Sequence, residues 1–238
     1  MDAAALRSLS RPGPPELNLY LFLKEAEAAL GDLEHEVLQH VVAAGTARGW
    51  FPTVPALIER ISEHEPRAAV ESAVAKVVAY RLLEVSSDGR ILGTLSGITH
   101  ERTAFRAVAD GGVPFHLRSA LDVMTIAATL QKETTVSASC AQTAAAIRLD
   151  FDAAGQLTNA TPRTVTAFLA GWDGSGPLGP ALARGGLFVN DAALEAWQRA
   201  HGDPDGLPLT EDTFRSVGME MAQALAAKYV AVSVFGVH

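Results

Sequence analysis

The chain of 238 residues is poor in cysteine, in positive charge and in long apolar runs. Its only cysteine is Cys140, which excludes an intramolecular disulfide. The net charge is −8, with 19 Lys and Arg against 27 Asp and Glu. A general nucleic-acid binder is basic, so this balance argues against that class and against binding to anionic membranes. No stretch approaches the ~18 apolar residues of a spanning helix. The first residues, "MDAAALRSLSRPGPPELN", lack the basic start and apolar core of a secretory signal. The expectation is a cytoplasmic protein with no membrane partner.

Familiar catalytic and metal signatures are missing too. Neither HExxH nor CxxC occurs, and "GWDGSGPLGP" has the glycines of a phosphate loop without its GK[ST] ending. "GDPDG" is too short for a calcium loop, and there is no GxSxG elbow. His35 and His40 stand five apart, a poor spacing for sharing a helix face. We therefore expect no metal and no cofactor.

What remains is an order of elements. "SRPGPPE" reads as an extended leader, and residues 17–30 as a helix. "DLEHEVLQHVVAAG" places Leu33, Val37, Leu38 and Val41 at helical spacing, with Gly45 as the stop. "TVPALIERI" starts at a Thr53 cap with Pro55 in its first turn. A third helix begins near Pro66 and presents Val70, Val74, Val77, Val78 and Leu82 on its apolar face. Two β-like runs flank Asp88-Gly89, a hairpin turn signal. Three helices and a hairpin follow the order of a winged helix-turn-helix. The third helix carries Arg67, Lys76 and Arg81, but Glu71 interrupts them and no basic run is present. Specific DNA binding is therefore not expected.

Residues 101–116 show little pattern. Beyond them, "LRSALDVMTIAATL" reads as a buried helix, and "TTVSASC", "AAIRLDF", "RTVTAFLA" and "GLFV" as strands. "GWDGSGPLGPALARGG" reads as a loop and "GDPDG" as a turn. "NDAALEAWQRAH" is a helix capped by Asn190, "LTEDTFRSVGMEMAQALAAKY" a helix capped by Thr210, and "VAVSVFG" a closing strand. The fold class is α+β: a winged-helix-like N-terminal module, then a mixed or antiparallel sheet with flanking helices.

Two residues in the middle of the chain carry the chemistry. Ser119 and Asp122 are one helical turn apart and converge on one point. In apolar surroundings Asp122 would have a raised pKa and serve as a proton donor. The alternative is a surface ion pair between Asp122 and Arg118, four residues earlier. Cys140 by default is a small buried hydrophobe.

This stretch resembles the alkylmercury (organomercurial) lyase family. "SALDVM" is similar to the family's Cys-Ala-Leu-Asp helix segment, and "VSASCAQTAAAIRL" to its Ser-x-x-Cys-x-x-Thr-Gly segment. There Cys140 and Thr143 are in register, with Ala144 where glycine is usual. Downstream, Phe188, Trp197, Gly206, Phe214 and Gly218 match a further aromatic and glycine pattern. The resemblance spans most of residues 30–225 and is dense over 117–218. It implies a leader and first helix over 1–30, a winged-helix-like module over 31–99 and an alkylmercury-lyase-like domain over 100–238.

The departures are chemical. The family cleaves a carbon–mercury bond with two cysteine thiolates and an aspartate, since a soft metal needs soft sulfur ligands. Here Ser119 stands at the first cysteine, and the second falls near Leu182 or Ala183. Asp122 aligns with the catalytic aspartate, and Cys140 with a cysteine regarded as structural. The resemblance thus implies acid/base chemistry on a small organic substrate in place of demercuration. Asp122 would be the catalytic acid or base lining an internal pocket, with Ser119 its partner. By their place near the helix start, His116 and Arg118 are either anchors for an anionic group or plain exposed residues. A ligand sensor without catalysis, or a mercury-binding protein relying on Cys140, are the alternatives.

Overall fold

The computed structural model describes residues 29–94, 97–171, 181–202 and 205–215. Most of the helix expected over 17–30, the strand "VAVSVFG", and most of the Gly/Pro-rich loop and of the helix following Thr210 lie outside the described residues.

Three helices open the described chain: α1 (Asp32–Arg48), α2 (Val54–Ile61) and α3 (Arg67–Ala79). The Glu34 carboxylate accepts a bond from the Gly31 N–H at 2.7 Å, satisfying an amide that the start of α1 leaves open. α1 does not stop at Gly45. It runs a turn further to Gly49, whose φ of 72° ends it in the left-handed region. Gly45 is a packing glycine instead: a Cβ there would stand 2.6 Å from the Phe51 ring. Thr53 caps α2 as expected, its hydroxyl accepting from the Ala56 N–H at 3.4 Å.

Val37, Leu38 and Val41 of α1 are buried, as are Leu57 and Ile61 of α2. The inward face of α3 is Val70, Ala73, Val74 and Val77; Val78 is 37% exposed. Ala73 joins this face at i+3 from Val70, while Val78, at i+8, lies at its edge about 40° beyond Val74. Each fully buried aliphatic side chain here contributes about 1.5–3 kcal/mol.

The hairpin of β1 (Leu83–Val85) and β2 (Ile91–Thr94) follows. Its turn uses Gly89 at φ 80°, where a glycine is needed. An isolated antiparallel bridge joins Thr53 to Arg90, pinning the start of α2 to the hairpin.

The sheet does not end with the hairpin. It continues through β3 (Ile98–Thr99), β4 (Phe105–Ala109), β5 (Phe115–Leu117), β6 (Thr134–Ser139), β7 (Ala146–Phe151) and β8 (Leu157–Thr161). Its order is β1-β2-β3-β5-β4-β6-β7-β8, and every pairing is antiparallel. Residues 101–116, unpatterned in sequence, thus supply β4 and most of β5. Phe105, Ala107 and Ala109 point inward with a period of two, but the outward Val108 and the small alanines flatten the contrast. β8 also escapes the sequence reading: it is an edge strand in which only Ala160 is buried.

A second sheet, ordered β10-β9-β11, consists of β9 (Thr166–Ala170), β10 (Gly186–Phe188) and β11 (Gly206–Leu209). β11 is absent from the sequence reading, which puts Gly206 in a turn and Leu209 at the start of the next helix. The strand contains Pro208 and among the described residues pairs on one side only, the edge position that suits a strand proline. Asn190 caps α5 (Asp191–Ala200), accepting from the Ala193 N–H at 2.9 Å. Trp197 of α5 packs on Phe168 and Phe188 with ring centroids 5.0 and 5.4 Å apart.

The remaining helix, α4 (Ala120–Leu130), touches β4 and β6 of the large sheet and β9 of the small one. Covered from both sides, it buries every residue from Ala120 to Ala128, which explains its nearly continuous apolar sequence. Among the described residues no helix is long and apolar enough to cross a membrane.

Candidate functional site around Asp122

Ser119 is the N-cap of α4, and it forms a reciprocal box with Asp122. The Ser119 hydroxyl accepts from the Asp122 N–H at 3.3 Å. One oxygen of the Asp122 carboxylate accepts from the Ser119 N–H at 2.8 Å and from its hydroxyl at 2.7 Å. Both residues are 3% exposed. The sequence S-x-x-D just before an apolar run builds this geometry, because the i,i+3 spacing returns the carboxylate to the cap.

The surface ion pair weighed as the alternative does not form. The Arg118 guanidinium binds Glu84 on β1, and Asp122 is held by Ser119. Burial is the largest influence on Asp122 and raises its pKa to about 6; the Ser119 bonds and the charge of Arg118 oppose it and do not win. A carboxyl with this pKa exchanges protons near neutrality in either direction.

Backbone packs closely over this corner. Gly97 has φ of 108°, and a Cβ there would lie 2.7 Å from the Asp122 Cβ and 3.0 Å from its Oδ1. At Gly93 a Cβ would lie 2.6 Å from the Arg118 guanidinium. Two glycines thus let the β2–β3 backbone approach the acid and the arginine. The Arg118 N–H donates to the Gly97 carbonyl at 3.0 Å, tying this segment to the helix start.

The side chains of the other residues singled out from sequence have hydrogen-bond partners of their own. His116 lies on β5 between the inward Phe115 and Leu117, and its Nδ1 accepts from the Thr103 N–H at 3.5 Å. Arg118 is one residue from the cap but committed to Glu84. A cavity of about 510 Å³ opens beside Asp110, Glu133, Asp150 and Asp152, and Asp122 is not in its walls. Among the described residues, Gly97 is the closest backbone cover of the acid.

Cys140 is 2% exposed and directly follows β6, opening the turn to β7. Its N–H donates to the Ala145 carbonyl at 2.8 Å, and its carbonyl accepts from the Ala144 N–H at 2.9 Å. Ala144 takes a left-handed φ of 58°. Burial pushes the thiol pKa up, but bonds from the Thr143 hydroxyl and the main chain at Val189, Thr143 and Gln142 bring it below its ordinary value. Leu182, near the position of the family's second thiolate, is 4% exposed, and Ala183 is exposed.

The downstream matches form the aromatic core of the small sheet. Phe188, Trp197 and Phe214 are buried, and a Cβ on Gly206 would collide with the Phe168 ring at 2.4 Å. Gly218 lies outside the described residues.

Comparison with known proteins agrees with this arrangement. The chain is similar to the solved structure entitled "Crystal structure of the mercury-bound form of MerB2", with a TM-score of 0.67 and 18% identity, covering 87% of this chain and 98% of that one. That likeness is one of fold. The curated proteins give no match. The model of the family described as "MerB: Alkylmercury lyase" matches residues 98–223, which take in Ser119, Asp122, Cys140 and the aromatic core. That match covers more than half of the sequence, and the chain belongs to the alkylmercury lyase family.

Proposed function

We propose that this family member performs proton-transfer chemistry of the lyase type on a small organic molecule, with Asp122 as acid or base and Ser119 as its hydrogen-bonding partner. The observation that carries the reading is the buried Asp122 carboxyl, bonded to Ser119 and ionising near pH 6. His116 and Arg118 remain our candidates for holding an anionic group. Arg118 would have to exchange its bond to Glu84 for one to the substrate. Cys140 is structural in this reading.

Efficient carbon–mercury cleavage is not part of it. Two cooperating thiolates need two cysteines, and the sequence has one. Ser119 offers a hard oxygen, and Leu182 and Ala183 offer no ligand.

We read α1–α3 and the β1–β2 hairpin as a winged-helix-like module over residues 31–99, ahead of the alkylmercury-lyase-like domain. Its cations argue against a DNA-binding role. Arg67 pairs with Glu71 at 2.9 Å, Lys76 with Glu34 at 3.0 Å and Arg90 with Asp88 at 3.0 Å, so the candidate face carries little net positive charge.

The test combines two measurements on the purified protein. Incubation with methylmercury and excess thiol should release mercuric ion at the background rate, and Ser119→Cys should bind mercury more tightly without efficient cleavage. Deuterium incorporation into a panel of small carbonyl compounds in D2O should be found for at least one compound and be lost in Asp122→Asn. Multiple turnovers of methylmercury, or exchange unchanged in Asp122→Asn, would contradict the proposal.

A further inference from the structure

We infer that Glu36, His40 and His64 form a binding site for a divalent first-row transition ion of the zinc class. The site lies outside the matched residues 98–223 and does not depend on the proposed chemistry at Asp122.

The geometry is built by two elements. Glu36 and His40 are one turn apart on α1, so their side chains share a face. His64 comes from the turn that joins α2 to α3, which the buried Ile61 seats against the helical core. The Glu36 Oε1 stands 2.6 Å from the His64 Nε2 and 3.5 Å from the His40 Nε2. The three ligand atoms all lie within 4.8 Å of one another. A tetrahedral zinc with bonds of about 2.0–2.1 Å separates its ligand atoms by about 3.3 Å. The two contacts of Glu36 bracket that value, so small side-chain adjustments admit the ion.

Those adjustments are free to occur. The Glu36, His40 and His64 side chains are 29%, 34% and 53% exposed. Arg67 and Arg60, the cations nearest in sequence to His64, are bonded to Glu71 and Glu63. A plain histidine–carboxylate pair would need one imidazole, yet here two present their Nε2 atoms to the same oxygen. If both were protonated they would repel each other, whereas a metal ion uses both as neutral ligands.

The donor set defines the ion. Two imidazoles and one carboxylate suit zinc, cobalt, nickel or copper, whereas calcium and magnesium prefer all-oxygen sites and soft ions prefer thiolates. Three protein ligands leave a fourth position for water. Bound there, the ion would brace α1 against the α2–α3 turn.

The test uses the full chain stripped with EDTA. Calorimetric titration with zinc should give one ion per chain, and cobalt should give the visible absorption of a tetrahedral site without a thiolate charge-transfer band. Loss of an outer-shell partner already costs about 10–100-fold in metal affinity, so His40→Ala and His64→Ala should each weaken zinc binding by about tenfold or more. His100→Ala should bind as the parent does. Zinc should raise the melting temperature of the parent and not that of His64→Ala, with circular dichroism showing that the variant is folded. Absence of stoichiometric binding, binding unaltered in His64→Ala, or a thiolate band would overturn the inference.

Discussion

Asp122 and Cys140 are buried almost equally, 3% and 2% exposed, yet their ionisation shifts in opposite directions. Burial favours the neutral form of both. The difference lies in depth and in partners, for the Asp122 carboxyl is deep in the protein whereas the Cys140 sulfur lies close under the surface. Asp122 draws its hydrogen bonds from Ser119, and these fall short of the cost of desolvation. Around the Cys140 sulfur, the Thr143 hydroxyl and three main-chain positions converge, and together they exceed that cost. A helix cap therefore leaves a carboxyl that exchanges protons near neutrality, while a tight turn stabilises an anion. Surface exposure alone does not say which polar group is ready for chemistry.

The comparison can be broken most decisively at the thiol. Stabilised as an anion but shielded by the turn, Cys140 should react with a disulfide reagent at least about a hundredfold more slowly in the native state than in denaturant, because the turn must open first. The pH midpoint of native labelling should fall below the ~8.5 of a free thiol. Native labelling as fast as in denaturant would make Cys140 an accessible ligand and favour a mercury-binding role.

At Asp122 the expected effect is smaller and thermodynamic. Its folded pKa of about 6 lies above the unfolded value of ~3.9. The native state therefore holds the proton more tightly than the unfolded state does. The stability this provides is fully present below about pH 4 and is lost as pH rises through about 6, a total of about 3 kcal/mol. Urea midpoints should show that decline in the parent, and Asp122→Asn should flatten it. Asparagine can still accept both Ser119 bonds through its carbonyl, so the cap survives. An identical pH slope in Asp122→Asn would remove Asp122 as its source.

The smallest effect belongs to the turn itself. Ala144 holds a φ of 58°, a conformation that costs an L-residue about 1–2 kcal/mol. Ala144→Gly should raise stability by about 1 kcal/mol, read as a higher urea midpoint at unchanged slope. A lower midpoint would mean that the alanine methyl contributes packing that outweighs the strain.

Much of this was legible in the sequence because it is local. Ser119 and Asp122 announce their cap by spacing, Thr53 and Asn190 by residue type, and α4 by its nearly continuous apolar run. Features set by distant partners were not legible. Arg118 finds Glu84 on β1 in place of its helical neighbour Asp122. Gly45 looked like a helix stop until the Phe51 ring gave it a packing role. The weak alternation of β4 and the polar β8 gain their strand character from pairing, to β5 and β6 and to β7. The metal site proposed above was not legible either, since His64 comes to Glu36 and His40 from another element.

The central claim is that Asp122 is a buried carboxyl poised between its two protonation states, and a carbon-13 titration of the side-chain carboxyls measures it directly. The resonance lost in Asp122→Asn should titrate with a midpoint near 6. A midpoint at or below about 4, the ordinary range of an aspartate in water, would contradict the account.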